Sequence, residues 1–113
     1  MRPSRRSPRR GEVWWVALDP ARGTEIRKTR PAVVVSNDAC NACGARVVVL
    51  PLTSNVSSIY PGEARVLVRG RAARALGDQL RSVDKSRLTS RIATLSADEV
   101  SSIDDALRIT LAL

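Results

Sequence analysis

Three short, unbroken runs of β-branched and aromatic residues constrain this chain more than anything else in it: Val13-Trp14-Trp15-Val16, Val33-Val34-Val35 and Val47-Val48-Val49. Side chains of this kind are stiff at χ1 and suit a pleated surface better than a helix. Runs this short, bounded by Gly, Pro, Asn and Asp, read as strands. They predict strands over residues 11–18, 31–36 and 46–50, the third unbroken and central. Successive side chains on a strand point to opposite faces. The first run is apolar at every position, so one face should meet the core and the other a partner or groove.

Further along, residues 63–69 alternate. Glu63, Arg65, Leu67 and Arg69 fall on one face, and Ala64, Val66 and Val68 on the other, as in a half-solvated strand. Residues 78–83 and 91–95 are shorter strand segments joined by a turn over 84–88. After Ser96 the period changes. Ser96-Ala97-Asp98-Glu99 is a capping box, and Val100, Ile103, Leu107 and Leu111 recur at helical spacing. Five or six short strands followed by one helix predict a mainly β fold, an SH3-like barrel or similar closed sheet with a C-terminal α-helix. Closure removes the edges that a small open sheet would expose.

The length of 113 residues allows one domain. Aromatics make up 3% and Phe is absent, so the core must be built from Val, Leu, Ile and Ala. The net charge of +8 is unevenly spread: residues 1–10 hold five arginines and no acid, leaving 14 basic against 11 acidic residues in the body. The chain therefore divides into a basic, solvated tail over 1–10 and a folded domain over 11–113. Such a tail strengthens contact with any polyanion but names no partner. No apolar run reaches the roughly 20 residues needed to cross a bilayer. The arginine pairs lack the apolar stretch of an export signal, so a cytoplasmic protein is expected.

The chemistry available is restricted. There is no histidine, which removes the usual neutral-pH acid–base pair and any Ser-His or Cys-His nucleophile. No phosphate-binding P-loop pattern occurs. Cys40-Asn41-Ala42-Cys43 has the spacing of a redox pair or half a zinc site, yet no further Cys or His completes a metal shell. In an Asn- and Gly-containing loop, two incidental thiols is the favoured reading. Catalysis would have to rest on arginine, carboxylates, hydroxyls and backbone donors. The loop over 19–30 concentrates these, with Gly23, Thr24, Glu25 and Arg30. Pro51-Leu52-Thr53-Ser54 presents hydroxyls at a strand end. A strand-start guanidinium and a strand-end hydroxyl can converge on adjacent strands; a solvated loop beside an ordinary strand terminus is the alternative.

RGEVWWVALDPARGTEIRKTRPAVVVSND (residues 10–38) resembles the opening signature of the MazF/PemK toxins. VVVLPLTSN (47–55) is similar to the family's Pro-x-Thr segment. GDQLRSVDKSRLTSRIATLSADEVSSIDDAL (77–107) resembles its C-terminal half, with the Gln-x-Arg-Ser/Thr-x-Asp run. Three separated motifs in order cover nearly the whole chain after the tail. The resemblance implies an SH3-like barrel acting as a homodimer: an endoribonuclease that cuts single-stranded RNA without metal or cofactor and is held by a cognate antitoxin. The antitoxin's C-terminal segment would lie over the RNA groove. It also implies a catalytic set of Arg30, Thr53 and Glu25, with Thr24, Ser54, Asn55 and Gln79 on the substrate. Thr24 stands where the family usually has Ser, and Ile26 where Gln is common.

At such a site cleavage is expected to proceed through 2′-OH attack, with Arg30 neutralising the phosphorane, Thr53 holding a non-bridging oxygen and Glu25 the better candidate for taking the proton. An arginine side chain stays protonated and cannot serve as the base. Bases would be read by the loop over 37–45 and by 54–62 with Tyr60. Trp14 and Trp15 are expected in the core and dimer seam. Two other readings share the fold: a toxin that binds a protein such as gyrase, and a non-catalytic RNA-binding module.

Overall fold

A computed structural model describes residues 7–18 and 28–113. Most of the first loop, including Thr24 and Glu25, lies outside the described residues, as do residues 1–6 of the basic tail. The described chain runs β1 (Glu12–Ala17), β2 (Thr29–Val34), α1 (Asp38–Cys43), β3 (Arg46–Thr53), β4 (Glu63–Val68), β5 (Arg71–Leu76), β6 (Arg81–Asp84), β7 (Leu88–Thr94) and α2 (Ala97–Leu111). The strands form one curled antiparallel sheet in the order β4-β5-β3-β2-β1-β7, with β6 also paired to β3. This is the expected mainly β fold with a C-terminal helix, its sheet curled into a half-barrel.

The β-branched runs require this curl. Val33 and Leu50 enter one core cluster with Leu52, Ile103 and Ala106. Their neighbours Val34 and Val49 enter a second, with Val16, Leu18, Val47 and Val83. Consecutive residues thus bury opposite faces, α2 covering one and the bend of the sheet the other. Trp14 packs on the second cluster and donates from Nε1 to Glu12 at 3.1 Å. Trp15, by contrast, is 41% exposed and lies on the face of β1 that the core does not cover.

α2 begins as the sequence indicates. The Ser96 hydroxyl accepts from the Glu99 N–H at 3.2 Å, and the Glu99 carboxylate accepts from the Ser96 N–H at 3.0 Å. The same carboxylate accepts from the Leu67 N–H, tying the helix to β4. Burial pushes the Glu99 carboxyl up, but the N–H groups of Leu67 and Ser96 outweigh it and hold the group below its ordinary value. At the other end of α2, Gly62 and Gly77 leave space for Thr110. The Gly77 N–H donates to the Gly62 carbonyl at 3.2 Å, and a Cβ on Gly77 would lie 2.2 Å from that oxygen.

Several boundaries differ from the sequence reading. β2 starts at Thr29, so Arg30 lies inside the strand, and β3 continues through Pro51 to Thr53. Pro51 falls between the stretch of β3 that pairs with β6 and the stretch that pairs with β5. Residues 38–43 form a helix rather than a loop. Asn37 caps it by accepting from the Ala39 N–H at 2.7 Å, and both cysteines are exposed on it. β5 was not indicated, because its sequence RAARAL lacks β-branched residues. Gln79 sits in a 3-10 turn, Gly77–Gln79, rather than in a strand. Arg9 and Arg10, assigned to the tail, are held by the body: Arg9 pairs with Asp38 at 3.1 Å, and Arg10 bonds Asp38, the Val35 carbonyl and Asp104.

Candidate active site

The β2–β3 ladder sets the geometry of the site. Its register pairs Val34 with Val49, Val33 with Leu50 and Ala32 with Pro51. Carried two residues further, that register sets Arg30 opposite Thr53. Residues directly opposite on antiparallel strands present their side chains on the same face. Both residues line one cleft of about 500 Å³ at the open rim of the curled sheet.

The rest of the cleft comes from four other elements. Trp15 of β1, Ile92 of β7, and Val68, Arg69 and Arg71 around the β4–β5 turn enclose it, with Leu52 and Ala73 below and Ser54 beside Thr53. Three guanidiniums and the hydroxyls of Thr29, Thr53 and Ser54 line it; among the described residues no carboxylate does. A concave site with cations on apolar walls focuses positive potential and concentrates anions. The Thr53 hydroxyl oxygen accepts from the Asn55 N–H at 3.3 Å. This orients its oxygen and leaves its hydrogen to donate to a bound group.

The sequence-predicted residues separate into three groups. Arg30, Thr53 and Ser54 share the cleft. Asn55 and Gln79 do not line it: the Asn55 side chain closes its own turn by accepting from Ser57 at 3.2 and 2.8 Å, and Gln79 lies in its 3-10 turn. Thr24 and Glu25 lie outside the described residues. Tyr60 is 59% exposed and stands off the cleft, with the Arg74 guanidinium 6.0 Å from its ring centre. Arg74 also donates to the Ser58 carbonyl at 2.7 Å and pairs with Glu63 at 3.5 Å. It therefore anchors the segment that follows Thr53.

Sequence reasoning missed two sets of arginines. Arg69 and Arg71 lie on a hairpin that composition did not reveal. Arg81 and Arg87 clasp the root of the first loop: Arg81 donates to the Leu18 carbonyl at 3.0 Å and Arg87 to the Ala17 carbonyl at 2.9 Å. The Leu18 N–H closes that root on the Lys28 carbonyl at 2.9 Å. The Gln-x-Arg run carried a signal for Arg81, but not for its carbonyl target.

A rim cleft on a curled β half-barrel, rich in arginine and hydroxyls, is the signature of a small anion-handling domain. Residues 9–111 match the family model of the PemK-like, MazF-like toxins of type II toxin–antitoxin systems, and the chain belongs to that family. It is 41% identical to the endoribonuclease MazF9 of Mycobacterium tuberculosis, over 93% of this chain and 97% of that protein. Its fold is similar to the crystal structure of MazF from Deinococcus radiodurans, with a TM-score of 0.83, 29% identity, and 95% and 98% of the two chains covered. It is similar also to the MazE–MazF complex of that organism, with a TM-score of 0.75, 27% identity, and 95% and 97% covered. Among the described residues no helix is long and apolar enough to cross a membrane.

Proposed function

We propose that this chain is an endoribonuclease toxin that cuts single-stranded RNA within the Arg30–Thr53 cleft, without a metal. The 2′-OH attacks the adjacent phosphorus, the bond to the 5′-oxygen breaks, and the products are a 2′,3′-cyclic phosphate and a 5′-OH. Overall, one proton passes from the 2′-oxygen to the departing 5′-oxygen. Arg30 neutralises the charge that develops on the phosphorane, and the Thr53 hydroxyl donates to a non-bridging oxygen. Preorganised donors of this kind are worth roughly 10²–10³ in rate each, and an arginine on a transferring phosphoryl group up to about 10⁵. Glu25 takes the first proton, because the chain has no histidine and arginine stays protonated.

The observation that carries this reading is the juxtaposition of Arg30 and Thr53 in one cleft whose described lining holds cations and hydroxyls but no carboxylate. The similarity to MazF9, an endoribonuclease, supports the reaction class. The similarity to a MazF bound to MazE supports an antitoxin partner. We further read the protein as a cytoplasmic homodimer whose antitoxin lays a C-terminal segment over the same groove. Ser54 stays on the substrate. Thr24, Asn55 and Gln79 remain assigned to RNA contact on resemblance alone.

The test is a defined RNA incubated with the protein in excess chelator, beside the same RNA carrying 2′-deoxyribose at the cleaved position. Cleavage of the first and not the second supports 2′-OH attack. Equal cleavage of both removes that mechanism. An RNA that is retained but intact favours the non-catalytic module.

A further inference from the structure

The cleft that Arg30 and Thr53 line is also lined by the tip of the β4–β5 hairpin, where the chain adopts a conformation its sequence does not favour. Arg69 and Gly70 form the two-residue turn with φ of 51° and 79°. Positive φ at both positions is the type I′ pattern, which favours Asn-Gly and disfavours a long side chain at its first position. Strained backbone of this kind is concentrated where a side chain has work to do. The Arg69 Nε donates to the Ile92 carbonyl of β7 at 2.8 Å. That bond fixes the guanidinium across the gap between the two ends of the sheet. Arg71, the first residue of β5, is exposed and lines the same cleft, and Trp15 lines it too.

We infer that Arg69 and Arg71 form a second phosphate subsite, which holds a phosphodiester next to the scissile one on a single strand. This rests on the reading of the cleft as an RNA site. A single strand carries a charge at every linkage, and a site with cations at two poles fixes the strand's direction as well as its position. The Arg69 bond to β7 pre-pays the ordering of one pole. The Trp15 ring offers a π-face to a base passing between the poles.

The experiment uses a short 2′-O-methyl oligoribonucleotide, which binds but lacks the attacking hydroxyl, and a set in which one linkage at a time is a neutral methylphosphonate. Affinity is measured across a range of salt for the parent protein, Arg69→Asn, Arg71→Gln and a control, Arg108→Gln, whose side chain pairs with Asp105 on α2. Arg69→Asn creates the Asn-Gly turn that this backbone prefers, so its melting temperature should not fall; Arg71→Gln leaves the turn untouched.

Each cleft variant should lower the magnitude of the log–log salt slope, by up to about 0.7, the value for one phosphate contact on a single strand. The control should keep the parent slope. In the parent, one neutral linkage beside the scissile position should weaken binding; in each cleft variant that penalty should shrink. Parent-like slopes in both cleft variants, or an undiminished penalty at every linkage, overturn the subsite. If the subsite signature appears but natural RNA stays intact, the subsite stands and the nuclease reading fails.

Discussion

Arg30 and Thr53 lie on neighbouring antiparallel strands, each two residues beyond the last β2–β3 ladder pair, Ala32 with Pro51, and both line the same cleft. One side chain brings a delocalised cation and the other a hydroxyl oriented by the Asn55 N–H. Neither is part of the core, so each can be changed with little effect on folding.

Arg30→Ala should lower the single-turnover rate of RNA cleavage by at least about 10²-fold, and Thr53→Val by roughly 10²-fold. Both proteins should melt within a few degrees of the parent, because substitutions at an exposed rim stay within about 0.5 kcal/mol. Glu25→Ala should slow the reaction less than Arg30→Ala. The opposite ranking, measured on one RNA, makes proton removal and not charge neutralisation the dominant effect.

Trp15 gives an optical test of where the strand lies. Trp14 and Trp15 are the two tryptophans of the chain, so Trp14→Phe leaves Trp15 as sole reporter. Its emission should be quenched when a non-cleavable oligonucleotide binds, and Trp15→Ala should weaken binding by the ~1–3 kcal/mol typical of one base stacked on an aromatic ring. An emission spectrum unmoved at saturation would remove Trp15 from the RNA path.

Gly77 tests the packing that seats the end of α2. A methyl there would sit 2.2 Å from the Gly62 carbonyl oxygen and 2.7 Å from the Thr110 hydroxyl. The first contact is with backbone and cannot be relieved by a rotamer change. Gly77→Ala should cost about 1–3 kcal/mol, the range for overpacking, read by urea denaturation. Thr110→Ala in the same background should recover little of the loss.

Glu99 should make the fold acid-sensitive. Its carboxyl is held below its ordinary value despite partial burial, so the folded state binds the proton less readily than the unfolded chain. The resulting stability is fully present above the unfolded value of about 4.3 and is lost as pH falls through the lower folded value. Glu99→Gln should flatten the stability profile below about pH 4.5. It should also cost roughly 1 kcal/mol at neutral pH, where the capping box is weakened. Asp84 adds to the same acid limb, because the Ser86 backbone N–H, with its side chain, holds that carboxyl down.

The fold was legible where period and burial coincide. Val33–Val35 and Val47–Leu50 demanded a sheet covered on both faces, and Ser96 with Glu99 marked the helix start. β5 was hidden because its arginines and alanines have weak β propensity; its pairing with β4, Glu63 to Leu76 through Val68 to Arg71, is set by the turn between them. α1 escaped because six residues are too few to display a helical period. In the cleft, Arg30, Thr53 and Ser54 were readable from motifs, whereas Arg69 and Arg71 reach it only through the curl of the sheet, a long-range consequence of register. Trp14 and Trp15 share one expectation, core and dimer seam, because two adjacent tryptophans in a strand do not reveal which face the helix leaves open.

The most direct measurement is the chemistry of the cut ends. A defined single-stranded RNA, treated with purified protein in excess chelator, should yield a 2′,3′-cyclic phosphate upstream and a free 5′-hydroxyl downstream of each cut, and Arg30→Ala should yield almost none. Intact RNA, ends bearing 3′-hydroxyl and 5′-phosphate, or undiminished cutting by Arg30→Ala would contradict a phosphorane held between Arg30 and Thr53.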